Sequence, residues 1–342
     1  MPCSLSPIPY VVNMQQAQKI TARRPARRAR PWTVDRIAPV LMILPSAIAI
    51  GIFVYGFIAW TGWVSLVDWR SFDPDFTFIG LRNYGAIFTQ QRFQTDIRNT
   101  VVFTLFFLIG CLSLGLLLAV MVDSKIKGEA IFRSIFIFPM ALSFIVTGVV
   151  WQWIFAPGTP ADPTGINLLL QRFGLPIYQD WSISPRVVPG WRPAGLRTRL
   201  GVPLAMIPLT IAAVWQMSGF TMAMYLAGLR GIPEDLREAA RVDGASEWQV
   251  FRRITLPLLA PVTLSAVIIL GHISLKIFDL ILTMTGGGPG NATDVPGIFM
   301  YEITFKANKF SQGAAAAVVM LLMVAVLIVP YLVSNARSDV DR

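Results

Sequence analysis

Six long apolar runs constrain this chain more than any other feature. They fall at 38–66, 101–122, 132–155, 202–229, 258–284 and 313–334. Each exceeds the roughly 20 residues a helix needs to cross about 30 Å of hydrocarbon at about 1.5 Å per residue. Lipid offers no partner to a bare backbone, so such runs must close their own hydrogen bonds as helices. Barrel strands would be about 10 residues long with alternating polarity, and no segment alternates in that way. The pattern predicts an all-α integral membrane protein with six transmembrane helices. The chain is 54% hydrophobic and only 14% charged over 342 residues, where soluble domains carry about 25% charged residues. A plain soluble enzyme, a disordered chain and a collagen-like chain are excluded on that ground. The first run is too long for the apolar core of a cleavable signal, so it reads as a retained span. No repeat of 20–50 residues points to a solenoid.

Charge sets the expected orientation. The net charge is +10, and seven of the 29 Lys and Arg lie in the leader before the first span, from Lys19 to Arg36. A single aromatic, Trp32, lies among them, too few for a base-stacking surface, so a topology anchor on the cytoplasmic side fits better than nucleic-acid binding. With both termini cytoplasmic, the leader holds seven basic residues, the 123–133 loop three, the 230–257 loop five and the C-terminal tail two, against eleven in the outer loops. The short loop with Lys125 and Lys127 weighs most, because short loops obey the positive-inside rule best. Cys3 lies in a polar tail and Cys111 in an apolar run, so no disulfide framework is implied.

Between the spans the punctuation is uneven. Residues 156–163 are turn-rich and open an irregular excursion of about 45 residues, whose second half, 184–200, holds three Pro and four Arg without periodicity. Residues 83–96 suit an amphipathic helix on the outer membrane face, and the glycine run at 286–290 breaks the helix after the fifth run.

The most distinctive stretch is the inner loop at 230–257. Pro233 suits a first helical position, with Glu234 and Asp235 in the first turn. Gly244 suits the end of that short helix. Asp243 or Ser246 then suits the N-cap of a second helix, and Pro257 restarts the chain into the fifth span. Two short helices at a bend are therefore expected at the membrane surface. Glu238 beside the small Ala239 and Ala240 offers an acid and room for close approach, the chemistry of a helix docked in a partner's groove. A surface helix without a partner would carry the same spacing.

Glu238-Ala239-Ala240, then Gly244 after three residues, then Ile254, Leu256 and Pro257 resemble the EAA loop of binding-protein-dependent ABC transporter permeases. The glycine-rich 286–289 run, Gly313 with the four alanines after it, the 138–143 segment and Trp151-Gln152-Trp153 resemble the carbohydrate-uptake, maltose-type branch. Within it the chain is most similar to glucose and alpha-glucoside permeases. The resemblance covers roughly 38–334 and leaves out the leader and 184–200. It implies a type I ABC importer permease architecture, with a basic cytoplasmic tail at 1–37, a permease domain at 38–334 and a cytoplasmic tail at 335–342. It further implies that the 230–257 loop couples to an ATPase through Glu238, Ala239, Ala240, Asp243, Gly244, Ile254, Leu256 and Pro257.

The implied partners are a second homologous permease in a heterodimer, an ATPase dimer, an extracytoplasmic sugar-binding protein and the sugar. ATP and Mg would sit at the ATPase subunits and no cofactor on this chain. The implied location is the bacterial inner membrane. The sequence has no phosphate-binding loop, no nucleophile elbow and no metal-spaced Cys/His cluster, as expected of a subunit that moves rather than catalyses. Polar groups within spans are the expected solute path. They are Gln152, Trp215 and Gln216, and, in the fifth run, His272, Ser274, Lys276 and Asp279. Their spacing puts His272, Lys276 and Asp279 on one helical face, where Lys276 and Asp279 also suit an ion pair that only stabilises packing. The rival reading is a stand-alone secondary transporter or channel. It would need coupling-ion residues and commonly inverted repeats, and it leaves the loop motif unexplained.

Overall fold

A computed structural model describes residues 34–124, 128–175 and 178–340. Most of the basic leader, together with Lys125 and Lys127, lies outside the described residues. The chain divides into two units at Ile58. In the first, α1 (Val34–Ile50) leads into a π-helical turn, Gly51–Gly56. Every side chain from Leu41 to Ile58 is exposed, although the segment is apolar enough to lie in lipid.

The second unit opens within α2 (Phe57–Val64), continues with α3 (Arg82–Phe88) and is built around α4 (Gln91–Asp123) and α8 (Met206–Arg230). The expected outer helix over 83–96 is split. Thr89 and Gln90 end α3, and α4 begins ten residues before the apolar run, so the mostly polar residues 91–100 lengthen the helix beyond that run. α4 and α8 pack tightly. Gly115 faces Thr221 so closely that a Cβ there would lie 2.6 Å from the Thr221 Cβ. Small residues at such crossings let backbones approach, the usual device of helix pairs in lipid. The buried core includes Phe103, Phe107 and Cys111 of α4 against Leu209, Ala212 and Ala213 of α8.

Two spans are broken. α5 (Glu129–Ile137) passes through a 3₁₀ turn at Phe138–Ala141, and α6 (Phe144–Ile154) leaves it at 99°. Pro139 sits in the turn, Ser143 caps α6 by accepting from the Val146 N–H, and Gln216 of α8 donates to the Leu142 carbonyl at 2.8 Å. The freed backbone is thus paired inside protein, the condition for irregular chain at membrane depth. The second break lies between α11 (Leu256–Leu258) and α12 (Ala260–Leu275), where the helix direction turns by 58°. Among the described residues four helices are long and apolar enough to cross a membrane, and six if each bent pair is one span.

Two expectations are corrected. The fifth run, 258–284, is not one helix: α12 ends at Leu275, the chain turns through Lys276–Phe278, and α13 (Asp279–Met284) follows. Nor is the chain all helical. β1 (Val187–Trp191) and β2 (Leu200–Pro203) pair antiparallel, with Val188 opposite Val202. The hairpin takes the first residues of the fourth run: Gly201, just before it, adopts a positive φ of +134°, which an α-helix does not accommodate. Beyond α13, Gly286, Gly287 and Gly288 all take positive φ. They turn the chain toward α14 (Pro296–Tyr301) and the last span, α15 (Phe310–Val340).

Candidate functional site

The 230–257 loop folds as two short helices, α9 (Glu234–Val242) and α10 (Glu247–Val250). Pro233 is the N-cap residue of α9 rather than its first helical position, with φ −56° and ψ 132°. Its extended ψ lets Glu234 and Asp235 fill the first turn beside the positive end of the helix dipole. Asp243 closes α9 and Gly244 follows at φ +84°. No atom lies within 4 Å of a Cβ built on Gly244. Backbone handedness, not crowding, makes glycine the fit there. Of the two expected caps for α10, Ser246 is used. Its hydroxyl accepts from the Gln249 N–H while the Gln249 side chain accepts from the Ser246 N–H at 2.8 Å. This capping box is legible as Ser246-x-x-Gln249. A π-helical turn, Phe251–Thr255, leads on to α11, with Ile254 and Leu256 half-buried and Pro257 exposed.

The pair stands away from the spans on ionic contacts. Arg237 places Nη1 3.6 Å from an Asp123 carboxylate oxygen and donates from Nη2 to the Leu229 carbonyl at 3.0 Å. Arg241 pairs with Glu247 at 2.7 Å and with Glu234 at 3.3 Å, and Arg230 pairs with Glu129 at 2.5 Å. Behind these contacts lie two adjoining clefts of about 650 and 990 Å³. The helix pair exposes large apolar side chains: Val242 is 87% exposed, Trp248 65% and Leu236 47%. Glu238 and Ala239 are exposed beside them, and Ala240 is half-buried.

The solute-path candidates divide. Trp215 meets Trp151 edge to face at 5.7 Å. Both line an apolar cavity of about 540 Å³ with Val102, Phe106, Thr210 and Val214. Gln216 is buried and committed to Leu142. Ser274 is buried too, bonded to Thr104 at 2.9 Å and to the Gly271 carbonyl. It pins α12 to α4. His272 is partly buried, and its Nδ1 has no partner among the described residues. Gln152, Lys276 and Asp279 are exposed. The expected Lys276–Asp279 ion pair does not form. The break at Lys276–Phe278 takes the two residues off a common helix, so helical spacing no longer brings them together.

A polar clasp at the opposite end was not anticipated. Arg92 of α4 bonds Asp294 at 2.6 Å and Glu302 at 2.7 Å, and Asn99 donates to the Asp294 and Asn291 carbonyls. Asp294 and Asn99 are fully buried. Burial lifts the Asp294 carboxyl above its ordinary range, and the Arg92 guanidinium pulls against that lift. Glu302 is held below the usual range by Lys306 first and then by Arg92. The available signal was the charged face of residues 92–99 just before an apolar run, together with a lone acid after the glycine run.

Apolar helices with two broken spans, carrying a projecting helix pair at one end, define a membrane transport subunit. The chain belongs to the family of binding-protein-dependent transport system inner membrane components, whose profile matches residues 111–339. It is 40% identical to a probable ABC transporter permease protein of Pyrococcus horikoshii over 88% of this chain and 96% of that one. It is 32% identical to a xylose/arabinose import permease protein of Haloferax volcanii over 83% and 84%. It shares the fold of a bacterial ABC transporter crystallised for its part in alginate import, with a TM-score of 0.66 at 22% identity over 85% of this chain and 93% of that one.

Proposed function

We propose that this chain is a sugar-translocating permease subunit of an ATP-driven importer, with six spans and both termini in the cytoplasm. It works in a heterodimer with a second permease, two ATPase subunits that hold ATP and Mg, and an extracytoplasmic binding protein that delivers the sugar. In a bacterium the assembly sits in the inner membrane. The observation that carries this reading is the projecting helix pair at 230–257. It exposes Leu236, Val242 and Trp248 beside Glu238 and Ala239 and is only lightly attached to its own spans. Such a face suits a groove in a partner, where Ala239 and Ala240 admit close approach and Glu238 meets a basic group. Asp243 and Gly244 set the bend between the two helices, and Ile254, Leu256 and Pro257 lead it into the fifth span. ATP binding favours the closed ATPase dimer, and that differential affinity drives the spans between inward- and outward-open states.

Sugar as the solute is supported by the name of the Haloferax volcanii relative and by the scarcity of fixed charge in the spans. The solute path is proposed to pass Gln152, Trp215, Gln216, His272, Ser274, Lys276 and Asp279. Ser274 reaches it only in a state where its present bonds exchange, and Gln216, whose Oε1 has no partner among the described residues, only where the path opens to its buried side chain. The test is Glu238→Lys and, separately, Gly244→Trp in the assembled transporter. Both variants should insert normally yet lose coupled uptake or the co-purifying ATPase. Wild-type uptake with wild-type ATPase recovery in both would refute the reading.

A further inference from the structure

We propose that Arg237 is a positioning residue, a strut that carries movement of the helix pair into the inner end of α4. The inference rests on the coupling role proposed above and adds the route the movement takes. The chain itself joins the loop to α8 through Gly231 and to α12 through the π-helical turn. It does not join the loop to α4, whose inner end must be reached through space.

Arg237 is the side chain of the helix pair that makes this connection; Arg230, the last residue of α8, also approaches Asp123, at 4.0 Å. Arg237 belongs to a helix whose side chains are mostly exposed, yet its own side chain is only 16% exposed. One guanidinium meets three elements. Nη2 donates to the Leu229 carbonyl in the last turn of α8 at 3.0 Å. Nη1 lies 3.6 Å from Asp123, the last residue of α4, and 3.8 Å from Glu234 of its own helix. The space around this bridge is open. The clefts of about 650 and 990 Å³ are both lined by Val120, Asp123, Leu229, Arg237, Arg241 and Glu247.

Close-packed interiors transmit displacement through contact. A cleft cannot, so force between α9 and α4 passes along the ion pair that crosses it. A planar guanidinium can hold a carbonyl and a carboxylate at once in a fixed geometry, which a lysine ammonium on a flexible stem holds less well. Asp123 at the C-terminal end of α4 is poorly placed for the helix dipole. Its position is explained by what it binds.

The test uses the whole assembly, purified through a tag on this chain and reconstituted in nanodiscs, with Cys3 and Cys111 replaced by Ser. One spin-label pair, Val242→Cys with Leu264→Cys, reads the helix pair against α12. A second, Leu117→Cys with Leu264→Cys, reads α4 against α12. In the wild-type background, ATP with vanadate should shift both distances. In Arg237→Ala the first pair should still shift. The fraction of molecules in which the second follows should drop about fivefold or more, the lower range of ordinary coupling. Asp123→Asn, which keeps shape and loses charge, should do the same. Arg237→Lys, which keeps the charge and a donor, should recover part of the response. A wild-type shift of the second pair in either Arg237→Ala or Asp123→Asn overturns the strut alone. A first pair that stays still in the wild-type background overturns the coupling role and the strut with it.

Discussion

The two ends of this molecule are tied by the same kinds of side chain in opposite ways. At the outer end Arg92 reaches a fully buried carboxylate, and Asn99 satisfies the backbone around it. At the inner end Arg241 holds Glu234 and Glu247 in the open, over clefts rather than over a core, and the more shielded Arg237 ties that exposed helix pair to α4. Buried, hydrogen-bonded pairs fix geometry, because losing one partner strands a charge in low dielectric. Exposed pairs contribute little and rearrange easily. The outer end is therefore built to stay put while the inner end is built to shift. That is the asymmetry a lever needs, with a firm joint at one end and a yielding grip at the other.

The comparison is tested hardest by deleting an arginine at the firm end. Arg92→Ala leaves Asp294 buried without its counter-charge, and the expected loss is about 3 kcal/mol in a reversible SDS unfolding titration. The loss should depend on pH. With the guanidinium gone, burial holds the Asp294 carboxyl still further above its unfolded value, so the folded state binds more protons than the unfolded one. Stability then falls as pH rises from the unfolded carboxylate range toward the raised folded value, so the deficit should be larger near pH 8 than near pH 5. A deficit that is small, or that grows on acidification, would mean that Asp294 is not held as a buried anion.

Much of this architecture was legible beforehand, and the misses share a cause. The apolar runs located the spans because hydrophobic length is a one-dimensional property. The loop was legible because capping and helix-ending chemistry is local: Gly244 and Ser246 act through their own backbone. The failures were non-local. Nothing within 258–284 shows that Lys276–Phe278 leaves the helix, because the neighbours that stabilise the break come from elsewhere in the fold. Val187 and Val188 find Pro203 and Val202 across the 192–199 loop, so a segment without helical period still orders as a hairpin. The Arg92–Asp294 clasp joins residues two hundred positions apart. Among the path candidates, Gln216 and Ser274 are polar groups in spans for which structural bonding was as open as solute contact, and here they bond to neighbouring backbone and side chains.

A middle-sized effect should come from the cap that shapes the yielding end. Ser246→Ala removes the acceptor for the Gln249 N–H and half of the capping box, at a cost of about 1 kcal/mol. The first turn of α10 is exposed, so the loss should be local. Amide exchange at Gln249 should quicken about fivefold, the equivalent of that free energy, while global unfolding stays unchanged. If the global midpoint moves instead, the helix pair is part of the core's cooperative unit and the contrast between the ends weakens.

The smallest effect should come from the arginine deletion that mirrors the first. Arg241→Ala breaks a pair with Glu247 as short as those of Arg92 and a longer one with Glu234. Hydrogen bonding to Glu247 pushes the Arg241 guanidinium upward and holds the Glu247 carboxyl down. Both side chains remain in water, where solvent screens the attraction and the freed groups simply rehydrate. The unfolding midpoint of Arg241→Ala should match the parent's in low and in high salt. A measurable loss that disappears at high salt would show that the inner ion pairs act as a network rather than as separate solvated contacts. The inner end would then be held more firmly than its exposure implies, and the strut at Arg237 would share its load with Arg241.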